Sequence, residues 1–328
     1  MGGDHAPSAI VDGAVAAARH LGVQIALVGP VALLEVALAS HPEWRQFGIE
    51  IVEAPDVIAM DDPPAAMLRR RPRASIRVAA DLVAQETAGA LVSAGNTGAT
   101  VMATYGAFGT IPGVDRPALA AAIPTLARSA VLVDAGANVE CRPHHLLQFA
   151  VMGSVYARLA LGVERPRVGL LSIGEEATKG NELTRDAHRL LKASRLNFVG
   201  NVEGRKIYSG VADVIVCDGF TGNVVLKTSE GLVETVEALL GDELRGTFSS
   251  QVGYLLSRRA FRRFRRRVDY SEYGGAPLLG VAGLAIVGHG RSSAKAVRNA
   301  IAMAHRFATS NFIQRVEQEI AATSVPGQ

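Results

Sequence analysis

The stretch Val214-Ile-Val-Cys-Asp-Gly-Phe-Thr-Gly-Asn-Val-Val-Leu-Lys-Thr228 decides the fold, because it reads as a buried strand, a glycine loop and then a helix. The chain repeats this arrangement in Ala90-Leu-Val-Ser-Ala-Gly-Asn-Thr-Gly98, in Ala130-Val-Leu-Val-Asp-Ala-Gly-Ala-Asn138 and in Arg167-Val-Gly-Leu-Leu-Ser-Ile-Gly-Glu-Glu-Ala-Thr-Lys-Gly180. In an open parallel sheet, the loops at the carboxyl ends of the strands converge on one crevice. These four strand ends, rich in Gly, Asn, Asp and Lys, therefore predict one composite polar site for an anion.

Strands and helices alternate along most of the chain, which is typical of an α/β protein with a mainly parallel sheet. No linker or tandem repeat divides the sequence, so we expect a single elaborated domain over residues 1–328. The alternation lapses around residues 240–280 and predicts a protruding helical subregion there. On either side of this subregion, the pattern predicts a helix over Asn223–Leu240 and a final helix over Ser292–Ala308.

The composition is that of a globular protein, with 328 residues of which 48% are hydrophobic and 20% charged. The chain contains only five lysines, so Lys179 and Lys227, which lie beside glycine loops, stand out. Its two cysteines form no CxxC pair, which indicates neither a disulfide framework nor a zinc cluster and fits a reducing, cytosolic compartment. The uncharged run Thr87–Val114 is rich in Gly and Thr, and we interpret it as a strand, a glycine loop and a buried helix rather than a membrane span.

The glycine loops supply the chemistry of an anion site. Glycine lets the backbone approach a phosphate closely, and the N-terminus of the helix that follows favours negative charge. Lys179 could neutralise a phosphate or a developing oxyanion, unless it simply pairs with Glu175 or Glu176. The candidate phosphate-binding or substrate-binding residues are Asn96, Thr97, Gly98, Asn138, Gly222 and Lys227. For each Asn or Thr, helix capping is the alternative.

Other catalytic motifs are missing from the sequence. It contains no GxxxxGK[ST], no GxGxxG followed by a suitably spaced acidic residue, and no GxSxG. His144 and His145 lack the spacing of a metal site. His5, in a tight loop before a helix, could be a general acid or a phosphate ligand, and His289 is a similar candidate; a capping or surface role is the alternative for both.

The segment Leu255–Val268 holds seven arginines and predicts a basic amphipathic helix. Such a helix can lie on an anionic membrane surface or bind an acidic partner. The alternative is a core-facing helix with a solvated arginine face. Nucleic acid is a weaker option, because the basic charge is confined to this segment and the net charge is only +3.

The chain resembles the bacterial phosphate acyltransferases of phospholipid synthesis, the PlsX family, over roughly residues 1–310. The resemblance rests on several ordered motifs. These are Met1-Gly-Gly-Asp-His-Ala-Pro7, Ser93-Ala-Gly-Asn-Thr-Gly-Ala99, Arg116-Pro-Ala-Leu-Ala120, Gly169-Leu-Leu-Ser-Ile-Gly-Glu-Glu-Ala-Thr-Lys-Gly180, Gly200-Asn-Val-Glu-Gly204 and Val216-Cys-Asp-Gly-Phe-Thr-Gly-Asn-Val-Val-Leu-Lys227.

The resemblance implies transfer of a fatty acyl group from acyl-carrier protein to inorganic phosphate, giving acyl phosphate. It implies an α/β/α sandwich of the phosphotransacetylase and isocitrate-dehydrogenase type, and a homodimer. It also implies a cytoplasmic enzyme in peripheral contact with the membrane, which supplies acyl phosphate to a membrane glycerol-3-phosphate acyltransferase. No metal, organic cofactor or nucleic-acid partner is expected.

With phosphate as the nucleophile, no Ser or Cys nucleophile is needed, and catalysis is mainly positioning and charge stabilisation. We then expect Lys179 and the Asn96–Gly98 backbone to hold phosphate or the oxyanion. Asn138, Asp218 and Asn223 would orient them, and His5 would steer or protonate the departing thiolate. The residues expected to meet the membrane or the acidic carrier protein are Arg258, Arg259, Phe261, Arg262, Arg263, Phe264 and Arg266.

Two alternatives stay open at this point: a phosphotransacetylase acting on short acyl-coenzyme A, and a non-enzymatic binding module of the membrane surface. The resemblance also implies a short apolar strand ahead of the Gly2-Gly3-Asp4-His5 loop. The sequence begins at Met1, so we expect unpaired sheet edges near this loop.

Overall fold

The computed structural model describes residues 1–268 and 274–323, and for Phe248, residues 265–268 and Thr323 it describes the backbone alone. The helices are α1 (Ser8–Leu21), α2 (Val31–Leu38), α3 (Pro64–Arg70), α4 (Ser75–Ala84), α5 (Thr97–Phe108), α6 (Pro143–Leu161), α7 (Glu182–Ala193), α8 (Gly219–Gly246), α9 (Phe248–Val268), α10 (Ala294–Thr309) and α11 (Phe312–Thr323). The strands are β1 (Ile25–Gly29), β2 (Ile49–Glu53), β3 (Leu91–Ser93), β4 (Ala118–Pro124), β5 (Ser129–Val133), β6 (Val168–Ser172), β7 (Phe198–Glu203), β8 (Val214–Val216), β9 (Ala276–Leu279) and β10 (Ala285–Val287).

Eight strands form the central sheet in the order β3-β10-β9-β4-β5-β8-β6-β7. The neighbours β5, β8, β6 and β7 are parallel, and β3 is parallel to β10. Between these two groups, β9 and β4 pair antiparallel with every neighbour. The sheet is therefore mainly parallel, as the sequence predicts, but β3 and β10 run opposite to β5, β6 and β8.

Helices cover both faces of this sheet, which makes the α/β/α sandwich expected from the sequence. Along β5, Val131 and Val133 pack into a core that includes Phe149 of α6, whereas Leu132 between them faces the cluster that contains Leu226 of α8. All three β5 residues have no exposed surface. A strand that is buried on both faces has a continuous apolar sequence, which fits β5 and its parallel neighbour β8, whose sequence is Val-Ile-Val.

The strands β1 and β2 form a separate two-stranded parallel sheet. Within the described residues no ladder joins β1 to β3, so each has an edge without a strand partner, as expected. Met1 lies at this seam, because its side chain reaches Gly29 at the end of β1 and its carbonyl oxygen approaches Gly95 after β3. The helix α1 closes this end of the molecule by packing its apolar face on α10.

The structure corrects three details of the predicted elements. The helix α8 begins at Gly219, four residues before the predicted Asn223, and extends to Gly246. The predicted subregion 240–280 holds α9, but its end returns to the central sheet as β9, with Leu278 and Leu279 buried. One further helix, α11, follows α10, which the sequence pattern named as the last. In the two described ranges, none of the helices combines the length and apolarity that crossing a membrane requires.

Candidate active site

The loops after β5, β8 and β6 leave the sheet side by side. In the registers, Val133 of β5 and Leu170 of β6 both lie opposite Val216 of β8. Because neighbouring strands are about 4.8 Å apart, the three loops share one edge of the sheet. Three of the four glycine loops therefore converge directly. The loop after β3 leaves the opposite edge of the sheet, because that strand runs in the opposite direction.

The N-terminus of α8 is pressed onto the loop after β5. The N–H of Gly219 donates to the carbonyl oxygen of Asn138 at 2.7 Å. A Cβ added at Gly222 would lie 1.8 Å from the carbonyl oxygen of Asp134, so only glycine fits there. The side chain of Asp218 caps the helix, since its carboxylate accepts the N–H of Thr221 at 2.8 Å and the hydroxyl of Thr221 at 2.7 Å. The predicted residues Asp218 and Gly222 thus fix where the helix begins.

Asp134, which the sequence analysis did not single out, organises the loop after β5. Its carboxylate has no exposed surface and accepts N–H groups of Leu119, Gly136, Ala137 and Asn138 at 2.7–3.0 Å. Burial raises the pKa of Asp134, and these hydrogen bonds oppose the rise. The available signal was an Asp followed by a glycine turn at the end of a fully apolar strand. Asp134 thus ties together the loop against which α8 begins.

The two asparagines at this edge of the sheet differ in whether the side-chain amide is already bonded within the protein. The side-chain amide of Asn138 donates to the carbonyl oxygen of Pro117 at 2.6 Å and to Asp134 at 2.8 Å, so it serves the loop. Asn223 is exposed, and its Cβ lies 3.4 Å from a Cβ position built on Gly136. Its amide hydrogen-bonds to no residue in the described part of the chain. Asn223 can therefore meet a ligand at the N-terminus of α8.

Lys179 lies in the loop after β6. The sequence left open whether Glu175 pairs with it, but Glu175 pairs with Lys206 instead. Glu176 anchors the loop through its backbone carbonyl, which accepts Asn201 Nδ2 at 2.8 Å. Lys179 is exposed, and within residues 1–268 and 274–323 its ammonium forms no ion pair. Lys179 thus lies, exposed, on the loop that follows the strand next to β8.

The loop after β3 belongs to a second cluster. Asn96 is buried, and its Nδ2 donates to the carbonyl oxygens of Ala59, Met60 and Asp62 at 3.0–3.2 Å. Its Oδ1 accepts the N–H of Ala99 at 3.0 Å, which caps α5. The side chain of Asn96 therefore ties the 59–62 loop to α5. Thr97 and Gly98 form the first turn of α5, partly exposed, and offer backbone N–H groups there.

The Gly2–His5 loop and the loop after β10 complete the second cluster. The N–H of Asp4 donates to the carbonyl oxygen of Gly290 at 2.9 Å, and His5 is exposed. Next to Gly290, His289 Nε2 lies 2.9 Å from Lys227 Nζ and 3.5 Å from Glu230 Oε2. Burial alone would raise the pKa of Glu230, but hydrogen bonds from His289 and Lys227 outweigh it and lower the pKa.

The helix α8 joins the two clusters. Asn223 contacts the loop after β5, and Lys227, one helical turn later, contacts the loop after β10. Four residues of helix span about 6 Å along its axis. The polar groups of the two sheet edges therefore meet along the first turns of α8, although their strands run in opposite directions.

Neither cysteine is suited to act as a nucleophile. Burial and the neighbouring Asp134 carboxylate raise the pKa of Cys141 to about 12. Burial also raises the pKa of Cys217, whose thiol contacts the carbonyl oxygen of Asp134. A thiol must be deprotonated to attack a carbonyl carbon, so both are inert near neutral pH.

One cluster has the composition of a metal site, namely Asp115, His144 and His145. His145 Nδ1 accepts the N–H of Arg142 at 3.0 Å. Burial, followed by the neighbouring His144, lowers the pKa of His145 to about 4, so its ring is neutral. A neutral ring whose Nδ1 accepts a hydrogen bond carries its proton on Nε2 and has no lone pair there for a metal. The cluster is better explained as a side-chain contact of Asp115 Oδ2 with His144 Nε2 at 2.8 Å.

The basic segment forms most of α9, which packs against α8. Four of its arginines are exposed, and so are several large apolar side chains of both helices. The ring of Phe261 lies 5.3 Å from that of Tyr254, whereas Phe264 is 48% exposed. The exposed arginines are Arg258, Arg259, Arg262 and Arg263, while the side chain of Arg266 lies outside the described residues. The alternative of a core-facing helix does not fit this exposure.

Residues 1–315 match the model of a family described as fatty acid synthesis protein. A phosphate acyltransferase of Acidobacterium capsulatum is 52% identical over 321 residues, which are 98% of this chain and 95% of that protein. A phosphate acyltransferase of Geobacter sp. strain M21 is 50% identical over 327 residues, covering 100% of this chain and 92% of the relative.

Among solved structures, a phosphotransacetylase from Streptococcus pyogenes superposes with a TM-score of 0.56 at 17% identity, covering 91% of each chain. A 4-hydroxythreonine-4-phosphate dehydrogenase from Klebsiella pneumoniae superposes with a TM-score of 0.50 at 13% identity, covering 92% of this chain and 95% of that one. At these identities the likeness concerns the fold alone, and it agrees with the predicted phosphotransacetylase-type sandwich.

Proposed function

The chain belongs to the fatty acid synthesis protein family of phosphate acyltransferases, and from this premise we propose that it transfers a fatty acyl group from acyl-carrier protein to inorganic phosphate. The products are acyl phosphate and free carrier protein. Acyl phosphate then enters phospholipid synthesis through a membrane glycerol-3-phosphate acyltransferase. The protein is an acyltransferase enzyme and not a non-enzymatic binding module of the membrane surface.

The observation that carries this proposal is the N-terminus of α8. Its first turns contain two glycines and an exposed Asn223, and Lys179, which forms no ion pair among the described residues, lies on the neighbouring loop. The dipole of a long helix favours an anion at this end. A phosphate held here would accept a hydrogen bond from the side chain of Asn223 and would be neutralised by Lys179.

The two protonated cysteines support direct attack by phosphate. Because neither Cys141 nor Cys217 provides a thiolate, neither can form a covalent acyl-enzyme with the substrate. In the proposed reaction, a phosphate oxygen attacks the thioester carbonyl carbon, the C–S bond breaks, and the sulfur leaves with the carrier protein. The ammonium of Lys179 and the start of α8 stabilise the negative charge on the phosphate and on the carbonyl oxygen.

The exposed arginines of α9 favour a protein carrier over coenzyme A. Acyl-carrier proteins are acidic, and a basic helix attracts them over several ångströms before contact. The same surface, with the exposed apolar side chains Leu255 and Leu256, suits peripheral contact with anionic lipid. We therefore propose a cytoplasmic enzyme, acting as a homodimer, that visits the membrane.

The test compares two acyl donors of equal chain length, acyl-carrier protein and acyl-coenzyme A, each with and without phosphate. Hydroxylamine traps acyl phosphate as a hydroxamate that can be quantified. The proposal expects phosphate-dependent hydroxamate, with a kcat/KM at least about tenfold higher for the carrier-protein thioester. Preference for acyl-coenzyme A would instead support a phosphotransacetylase, and no product from either donor would refute both reactions.

A further inference from the structure

Lys179 lies at the end of an exposed turn in the loop after β6. Residues 175–179 are all exposed, and the N–H of Lys179 closes the turn by donating to the carbonyl oxygen of Glu176 at 3.0 Å. The hydroxyl of Ser172 also reaches the carbonyl oxygen of Lys179, but only at a long 3.4 Å. An exposed turn opens easily, so a lysine that must stay in one place needs a contact with the buried part of the protein.

Asn201 of β7 provides this contact. The residue is only 8% exposed, and its Nδ2 donates to the carbonyl oxygen of Glu176 at 2.8 Å. The same oxygen accepts the N–H of Lys179, so one backbone carbonyl both closes the turn and joins it to the central sheet. A hydrogen bond from a buried amide is stronger than one at the surface, because the surroundings have a low dielectric constant.

His188 of α7 fixes the Asn201 amide from the other side. A carbonyl oxygen can only accept, so the amide turns its Nδ2 towards Glu176 and its Oδ1 towards His188 Nδ1, 2.9 Å away. Oδ1 in turn can only accept, so His188 Nδ1 carries a proton and donates. This donor is present in the neutral tautomer as well as in the protonated ring. The ring of His188 packs edge-on against Phe198, with centroids 5.0 Å apart.

We infer that Asn201 is a positioning residue of the reaction, which holds Lys179 in place through the carbonyl group of Glu176, and that His188 orients Asn201. The inference rests on the proposed function, in which the Lys179 ammonium neutralises phosphate and the carbonyl oxygen of the thioester. Both contacts are hydrogen bonds to neutral groups, so they fix the backbone of the turn and leave the charge of Lys179 available to an anion. A carboxylate partner would fix the lysine but cancel that charge.

The first experiment measures how firmly the turn is held, without any substrate. Trypsin cleaves after lysine and arginine, and Lys179 is the only such residue among residues 175–179. We expect native Asn201→Leu to be cleaved after Lys179 at least about tenfold faster than the wild type, because cleavage requires local opening of the turn. The matched control is Asn197→Leu, just before the same strand, where the amide makes a contact of 3.5 Å. It should be cleaved after Lys179 at the wild-type rate.

The second experiment asks whether Asn201 acts through Lys179. Hydroxamate formation from acyl-carrier-protein thioester and phosphate is measured for the wild type, Asn201→Leu, Lys179→Ala and the double variant. Asn201→Leu alone should lower kcat/KM for phosphate on the order of 10²-fold, because a positioned cation is displaced. Added to Lys179→Ala, it should cost less than about threefold, since residues that act as one unit are not additive. A purely structural role would cost the same factor in both backgrounds.

Variants of His188 separate its hydrogen bond from its packing. His188→Asn keeps an N–H donor where Nδ1 lies, whereas His188→Leu has none, and both lose the ring contact with Phe198. We expect His188→Leu to lower kcat/KM for phosphate about tenfold, and His188→Asn to stay within about threefold of the wild type. His188→Leu also takes the place of Asn201→Leu in both experiments if the latter does not fold.

Two results would overturn the inference and leave the proposed function standing. One is cleavage after Lys179 that is no faster in Asn201→Leu than in the wild type. The other is an equal loss of kcat/KM from Asn201→Leu in the presence and in the absence of the Lys179 ammonium. If the wild type itself forms no phosphate-dependent hydroxamate, the proposed function fails, and the inference fails with it.

Discussion

Replacing Gly222 by Ala tests how closely the start of α8 must approach the loop after β5. The added Cβ would lie 1.8 Å from the carbonyl oxygen of Asp134 and 3.0 Å from Cys217 Sγ. Asp134 and Cys217 are both buried, and the Asp134 carbonyl is a backbone group that cannot rotate away. To restore even a 3.0 Å contact, helix and loop must separate by at least about 1.2 Å.

This displacement moves the groups that are proposed to hold phosphate. A misplacement of about 1 Å in a positioned site costs on the order of 10²-fold in rate. Overpacking of this kind costs about 1–3 kcal/mol of stability. We therefore expect kcat/KM to fall roughly 10²-fold, with a smaller but measurable fall in the free energy of unfolding.

The assay measures hydroxamate formation and urea unfolding of Gly222→Ala beside Gly231→Ala. Gly231 lies on the same helix, and nothing lies within 4 Å of a Cβ built there. This control should keep full activity and gain about 0.5–1 kcal/mol, because alanine replaces glycine in a helix interior. A Gly222→Ala enzyme that matches Gly231→Ala in rate and stability would refute the close-contact reasoning.

Three further predictions concern single features of the structure. Lys179→Ala should lower turnover about 10²–10³-fold with an unchanged melting temperature, because the Lys179 ammonium is exposed and forms no ion pair among the described residues. The control Lys192→Ala on α7 should change neither turnover nor melting temperature. Near-normal turnover of Lys179→Ala would remove Lys179 from the site. Asp213→Asn should cost about 1.5–3 kcal/mol at pH 7, since the Asp213 carboxylate accepts two hydrogen bonds from the Arg167 guanidinium at 2.9–3.0 Å. Burial alone would raise the pKa of Asp213, but the Arg167 hydrogen bonds lower it. The stabilisation by this pair is therefore present above about pH 4 and is lost as the pH falls through the depressed pKa of Asp213. If wild type and Asp213→Asn still differed in the free energy of unfolding in acid, the ion pair would not be its source. The double variant Arg262→Glu/Arg263→Glu should raise the KM for acyl-carrier protein about tenfold at low salt. The control double variant Arg69→Glu/Arg70→Glu on α3 should keep the wild-type KM. Equal KM values for the two double variants would exclude α9 as the docking surface.

The sequence predicted the architecture well wherever a strand is buried on both faces. The apolar runs of β5 and β8 are unambiguous because each lies between two layers of helix. The strand β9 was missed because it has only four residues, contains Pro277 and follows a glycine pair. The helix α11 was missed although Phe312, Val316 and Ile320 have helical spacing and are buried; it is separated from α10 by Ser310 and Asn311, the latter at a positive φ of 54°.

The site was harder to predict, since its contacts join residues far apart in the sequence. The pattern indicated Lys227 and His289 separately, but their 2.9 Å contact depends on how α8 crosses the sheet. The pattern also could not distinguish asparagines that serve the loops, such as Asn96, from the exposed Asn223, because both follow glycine-rich strand ends. Asp134 was overlooked because most of its partners are backbone N–H groups, so its only sequence signal was its place between an apolar strand and a glycine turn.

The central claim is that phosphate attacks the thioester directly, with no acyl-enzyme intermediate. The most direct measurement is the intact mass of the protein after incubation with the acyl-carrier-protein thioester alone, and again after phosphate is added. Direct attack predicts a protein of unchanged mass at both points, with acyl phosphate formed only once phosphate is present. A protein that gains one acyl group without phosphate, and loses it when phosphate is added, would contradict the account.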